Sequence, residues 1–244
     1  MEKNNKEKNT KQEDLNKFDL HIHSKYSWDA KSDPKKIIKQ AKIEGLTGIA
    51  ITDHDTTKGW SVFEKLAKEN NLVYIKGEEI TLKKNEKTTG HALALFINQE
   101  IKSKDLYEIA DEVRAQDGIL IAAHPFEKMG PPFFLNEFTE MLKNKKFRKK
   151  TINGVETFNG RIFIQKYNQK AKNIANKYKL LQTAGSDAHE VDAIGRGYIT
   201  TYAETEHELI KQIKRKKNLV NGTPSSLWQA CRSYVYSLNC IMTK

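Results

Sequence analysis

Cysteine is nearly absent from this 244-residue chain: only Cys231 and Cys240 occur, close together near the C-terminus and away from every histidine motif. That excludes a disulfide framework or a zinc ribbon and leaves two reduced, structural thiols. No window holds an apolar run long enough to span a membrane, and Met1 to Lys17 is rich in Lys, Asn and Glu rather than a charged stub before an apolar core. The sequence therefore predicts a cytosolic protein with no membrane partner. A Gly-X-Ser-X-Gly elbow is missing too, as are GxGxxG and Walker loops, which argues against a serine nucleophile and against a nucleotide-fuelled enzyme.

What is present is positive charge. The formal net charge is +11, dense over 143–150 and 211–217. Such a balance concentrates anions, phosphate esters and nucleic acids included, although a Lys-rich solubilising surface explains each run alone. Residues 1–16 lack apolar periodicity and read as a disordered polar tail. Over 17–222, β-like runs alternate with amphipathic stretches: Phe18–Ile22, Gly48–Thr52, Leu72–Ile80, His91–Ile97, Ile119–Ala123, Gly154–Phe158, Leu181–Ala184 and Tyr198–Tyr202. Helices are expected from Asp33-Pro34 to about Glu44, and over Trp60–Asn70, Phe134–Lys145 and Ile162–Tyr178. Capping-box spacing recurs at Asp105-Leu106-Tyr107-Glu108 and Thr205-Glu206-His207-Glu208. Alternation of this kind predicts a single α/β domain with a parallel sheet, either doubly wound or closed into a barrel. Over 223–244, Leu227, Trp228, Cys231, Tyr234, Val235 and Leu238 recur at helical spacing and predict a C-terminal helix packing on the domain.

Six of the seven histidines fall in short motifs at or just after the apolar runs. Residues two apart in a strand point the same way, so His21 and His23 present both imidazoles to one side. His54 follows Asp53 at the end of a second run. Glu78 and Glu79 offer a carboxylate able to bridge two cations, and one of the two is expected to be a ligand. His91 opens a further run, His124 closes another before Pro125, and Asp187 with His189 follows Gly185. Ionisable residues that repeatedly end apolar strands point to one site at the carboxyl ends of a parallel sheet. Mixed imidazole and carboxylate donors suit Zn, Mn or Fe, and eight or nine candidates exceed the roughly four that one tetrahedral ion takes, so two or three divalent ions are expected. Arg161 and Arg196 are candidates to grip a non-reacting phosphate oxygen.

The wording and order of these motifs, Asp19-Leu20-His21-Ile22-His23-Ser24, Ile51-Thr52-Asp53-His54-Asp55, Gly77-Glu78-Glu79-Ile80, Gly90-His91, Ala123-His124-Pro125 and Gly185-Ser186-Asp187-Ala188-His189, closely resemble the PHP (polymerase and histidinol phosphatase) family, over about Phe18 to Thr201. The resemblance implies a distorted seven-stranded β/α barrel of TIM-like type with a metal site at its carboxyl mouth. It places His21, His23, His54, Glu79, His91, His124, Asp187 and His189 on the family's ligand positions, and prefers Glu79 to Glu78. Asp29, in Ser27-Trp28-Asp29-Ala30, resembles a further ligand position, and Glu156 a strand-end glutamate in or near the layer behind the ligands. His54, His124, His189 and Arg161 are the expected catalytic residues.

The expected activity is hydrolysis of a small phosphate ester or nucleotide, such as a nucleoside bisphosphate, by a metal-activated hydroxide. A 5′-to-3′ exonuclease on short RNA or DNA, a histidinol-phosphate phosphatase and a non-catalytic nucleic-acid or metal-binding module are the alternatives.

Overall fold

The computed structural model describes residues 15–127 and 135–243. Residues 1–14 of the expected tail lie outside the described residues, and Asn16, its last residue, already begins the first strand. In chain order the elements are β1 (Asn16–Ile22), α1 (Pro34–Ile43), β2 (Gly48–Ile51), α2 (Trp60–Glu69), β3 (Val73–Lys84), β4 (Lys87–Leu95), α3 (Leu106–Ala115) and β5 (Ile119–Ala122). There follow α4 (Leu135–Lys143), α5 (Lys145–Lys150), β6 (Gly154–Asn159), α6 (Lys166–Tyr178), β7 (Leu181–Gly185), β8 (Gly197–Thr201), α7 (Glu206–Lys214), β9 (Leu219–Gly222) and α8 (Leu227–Met242).

Local chemistry sets several boundaries. Asp33 caps α1 by accepting from Lys35 N–H, Pro34 occupies the first turn where its missing donor costs nothing, and Gly45 leaves the helix at φ +66°. Asp105 and Thr205 likewise cap α3 and α7, but the reciprocal half of each box is diverted: Glu108 accepts from Ser103 Oγ and Glu208 from Glu204 N–H. The helix expected over Phe134–Lys145 is two. Asn144 breaks it, its side chain accepting from Lys146 N–H at 2.9 Å to start α5, while Phe134 lies outside the described residues.

The nine strands among the described residues form one sheet in the order β7-β6-β5-β4-β3-β2-β1-β8-β9. It bends into a nearly closed barrel, because the segment after β7 rejoins β1: Asp187 N–H donates to His21 O at 2.8 Å and His23 N–H to Ala188 O at 3.0 Å. β9 is the one strand beyond the eight expected runs, β3 runs on past Ile80 to Lys84, and the sheet is not wholly parallel. β1, β2 and β3 pair in parallel, as do β5, β6 and β7, but β4 runs antiparallel to both neighbours, and β8 is antiparallel to both β1 and β9. The physical cause of the first reversal is a two-residue turn, Asn85-Glu86, with φ at 50° and 61°, the conformation that joins hairpin strands without splaying them.

Alternation along the strands fills the barrel. Phe18, Leu20, Leu93, Leu95, Ile119 and Ile121 meet inside, joined by Leu209 and Ile213 of α7, while Ile22, Ile49 and Ile51 face Ile37, Ile38 and Phe63 of the outer helices. That Leu20 points inward and Ile22 outward reflects a register shift in β1 between Asp19 and Ile22, an irregularity that re-aims the side chains beyond it.

A candidate metal centre at the barrel mouth

The re-aimed end of β1 turns His21 and His23 into the mouth, where both are fully buried. His54 lies just past β2 and forms an isolated bridge with Glu79 of β3. Since side chains alternate along a strand, Glu79 faces the mouth and Glu78 does not. Glu78 is buried elsewhere, accepting from Ile101 N–H at 3.0 Å. His91 sits inside β4 rather than opening it. The hairpin reverses the strand, so this early residue reaches the level of β5's carboxyl end, with Ala123 N–H donating to His91 O. His124 follows β5, and Asp187 and His189 follow β7.

All nine expected ligand residues converge. Glu79 is their centre: its carboxylate lies 3.1 Å from His21 Nε2, 3.0 Å from His23 Nε2, 3.0 Å from His124 Nε2, 3.4 Å from His91 Nδ1 and 3.5 Å from His54 Nδ1. Asp29 joins from the loop after β1, 2.6 Å from His189 Nε2 and 3.4 Å from His54 Nε2. Three groups have ligand atoms within 4.8 Å of one another: His21, His23, Glu79 and Asp187; His23, Asp29, His54 and His189; and His54, Glu79 and His91.

These donors fit cations. His21 Nε2, His23 Nε2 and Glu79 Oε2 crowd within 3.1 Å of one another, an arrangement of lone pairs that protons alone satisfy poorly. Among the described residues, buried His54 Nδ1 and His91 Nδ1 have no hydrogen-bond partner, which buried polar atoms rarely tolerate.

The electrostatics of the cluster are correspondingly extreme. Burial alone would raise Glu79 and Asp187, but surrounding imidazoles, His21 foremost, hold both well below the carboxylate range. Burial opposes protonation of His23 and His124 as well, yet the hydrogen bonds they give to Glu79, and for His23 first to Asp187, push them up to about 10 and about 9. Burial wins at His91, down to about 3, and, helped by Arg161, at His189, down to about 4. Such a split is what adjacent like and unlike charges in a dry pocket produce.

A surrounding layer fixes the cluster. Glu156 of β6 touches His21 Nδ1 at 2.9 Å, leaving Nε2 aimed inward, and accepts from His124 N–H at 2.9 Å. Asn159 donates to both Glu156 and Asp187. Asp19 accepts from Ser186 N–H and Gly195 N–H, Asp53 from Ser24, and Ser27 Oγ bonds Asp29 at 2.7 Å. Of these only Glu156 is legible as a site residue beforehand. Asp19, Asp53 and Ser27 lie within the motifs, yet only the tertiary fold reveals what they clamp. His124 and Asp187 hold left-handed backbones, φ 26° and 53°, a strain of about 1–3 kcal/mol each that the Glu156 and His21 bonds hold in place.

Arg161 enters the same cavity. Its Nη1 lies 3.3 Å from the His189 ring nitrogens and its Nη2 donates to Ser237 Oγ at 3.1 Å, while its guanidinium stacks over Tyr234. Arg196 does not reach it, bonding Ser225 Oγ and Asp192 O instead. The basic runs also lie elsewhere. Lys145, Arg148 and Lys214 line a cavity with Ile119 and Leu181, which start β5 and β7, at the end of the barrel opposite the mouth.

α8 departs from expectation. Leu227, Trp228, Val235 and Leu238 of the expected packing stripe are 56–68% exposed, and Cys231 is exposed too, whereas Ala230, Ser237 and Cys240 are buried. Among the described residues no helix is long and apolar enough to cross a membrane.

A family model, the PHP domain, matches residues 19–220. Two uncharacterized proteins of Methanocaldococcus jannaschii are similar: one is 37% identical over 121 residues, 45% of this chain and 68% of that protein, and the other 34% identical over 184 residues, 75% and 69%. A crystal structure of a two-domain Bacteroides vulgatus protein containing a predicted PHP-like metal-dependent phosphoesterase superposes with a TM-score of 0.70 at 17% identity, covering 91% of this chain and 70% of that one.

Proposed function

The chain belongs to the PHP family, and from that membership we propose that it is a metal-dependent phosphoesterase hydrolysing a small phosphate ester, a phosphomonoester or a nucleotide such as a nucleoside bisphosphate. The observation that carries this is the gathering of imidazoles from four separate stretches of chain around the single buried carboxylate of Glu79. His21, His23, Glu79 and Asp187 would hold one cation, His23, Asp29, His54 and His189 a second, and His54, Glu79 and His91, with His124 beside them, a third. Shared members favour two or three neighbouring ions over one, and the nitrogen and oxygen donors favour Zn, Mn or Fe. Bound there, such ions lower the pKa of water and neutralise charge on ester oxygens.

The chain's own side chains do the rest. In the hydrolysis a water oxygen replaces the ester oxygen on phosphorus, and the alcohol leaves with one of the water's protons. Arg161, with five donors in a planar fork, grips a phosphate oxygen that does not react. His54, His124 and His189 line the cavity where the ester sits, and Glu156 keeps His21 turned inward. The cavity, about 230 Å³, lies below the roughly 300–1,000 Å³ usual for ligand clefts and suits a compact ester better than a nucleic-acid strand. The basic runs that would have favoured an exonuclease stand at the far end of the barrel.

With Mn, the purified protein should hydrolyse an aryl phosphate, and His124→Ala should abolish turnover while leaving the far-ultraviolet circular dichroism unchanged. Unaltered turnover in that variant would remove His124 from the site. Faster degradation of a 5′-phosphorylated oligonucleotide than of a nucleoside bisphosphate, weakened steeply by salt, would overturn the small-ester assignment.

A further inference from the structure

The family match ends at residue 220, yet the wall of the cavity continues beyond it. Tyr234, Ser237, Leu238 and Ile241 of α8 all line the mouth, and their offsets of three, four and seven place them on one helix face. That face divides by chemistry. Tyr234 and Ser237 serve Arg161: the phenol ring lies under the guanidinium, the serine accepts from Nη2, and Tyr234 Oη donates to Glu127 at 2.7 Å. Leu238 and Ile241 are apolar and remain 56% and 46% exposed.

Trp28 supplies a third apolar surface to the same cavity. Its indole stacks on the His54 ring, centroids 5.0 Å apart at 24°, and is still 44% exposed. Lys31 Nζ donates to Thr243 Oγ1 at 2.5 Å, tying the loop that carries Trp28 to the end of α8. Half-exposed apolar side chains at the rim of so polar a site are unfavourable while wetted and become favourable once a ligand covers them.

We infer that Leu238, Ile241 and Trp28 form the seat for the alcohol portion of the substrate, so that the chain selects phosphomonoesters whose alcohol ends in a flat, apolar ring over those of polyols. This rests on the phosphoesterase reading above. The polar half of the helix face steadies the arginine that grips phosphate, and the apolar half, one turn on, receives what the phosphate is attached to. An aromatic ring laid on Trp28 gains area at little entropic cost.

The test compares phenyl phosphate with glycerol phosphate on the Mn-loaded full chain, alongside calorimetric titration with phenylphosphonate and methylphosphonate, which bind without turnover. The wild type should prefer the phenyl member of each pair by about tenfold or more. In the Leu238→Asn/Ile241→Asn double variant, at exposed positions, KM for phenyl phosphate and the dissociation constant of phenylphosphonate should each rise about tenfold. Values for glycerol phosphate and methylphosphonate should move far less, so that the phenyl preference falls about tenfold. Trp28→Ala should erode the same preference, whereas Val235→Asn, on α8 but away from the cavity, should leave it intact. Turnover with an undiminished phenyl preference in the double variant overturns the seat and leaves the phosphoesterase standing. Absence of both hydrolysis and phosphonate binding overturns the two together.

Discussion

Glu79→Gln isolates what the central carboxylate does, since the substitution keeps the shape and removes the charge. Glu79 is 1% exposed and touches His21, His23 and His124 at 3.0–3.1 Å. Removing one partner from a buried charge cluster typically costs about 3–5 kcal/mol, because the remaining cations are left without compensation. For a domain of this size that corresponds to a fall in Tm of roughly 6–20 °C.

The pH dependence gives the sharper signature. His23 and His124 are raised from 6.5 to about 10 and about 9, so their contribution is fully present below pH 6.5 and lost as pH rises through the folded-state values. Glu79 is a principal cause of both shifts, hence the stability gap between wild type and variant should be widest near pH 6 and narrow steadily towards pH 10. Thermal unfolding in EDTA, followed by circular dichroism across that range, measures the gap. Elemental analysis after Mn loading should find fewer ions in the variant. A gap that does not change with pH, together with an undiminished ion content, would refute the central role of Glu79.

Glu156→Gln should loosen His21 and the His124 backbone without removing a ligand, lowering metal affinity or kcat by about 10–100-fold, as read by competition with a chelator and by steady-state kinetics. Unchanged values would reduce Glu156 to packing. Glu78 faces away from the cluster and is raised by burial from the usual 4.5 to about 7. Its native form therefore holds a proton that the unfolded form has lost between those values, and stability should fall by up to about 3 kcal/mol as pH climbs through that window. Glu78→Gln should flatten that slope in ion-free unfolding curves, and a slope that survives would assign it to other groups.

Much of the mouth is legible in the linear chain because most of the expected ligands sit in short motifs at or just past a strand end. His21 with His23 is read from the two-residue period, whereas the preference for Glu79 over Glu78 comes from the family resemblance. What escapes depends on pairing between distant segments. The Asn85-Glu86 turn looks like one more charged loop, yet it inverts β4 and decides how His91 reaches the site. Asn159 gains its role only when β6 and the segment after β7 are brought side by side. α8 lies over a polar cavity: Tyr234 and Ser237 turn towards it, Leu238 and Ile241 reach only its rim, and Leu227, Trp228 and Val235 of the expected stripe stay exposed.

The seam between β1 and β7 has a consequence for when this protein becomes competent. His21 and His23 come from one edge of it, while Asp187 and His189 emerge from the other, 164 positions or more later in synthesis. A nascent or truncated polypeptide that stops short of that second edge owns only part of the proposed coordination shell, so it would not fasten cations in the native manner. Loading then doubles as a clasp across the barrel, and the chain that carries a full complement of ions is the one whose circumference has been completed.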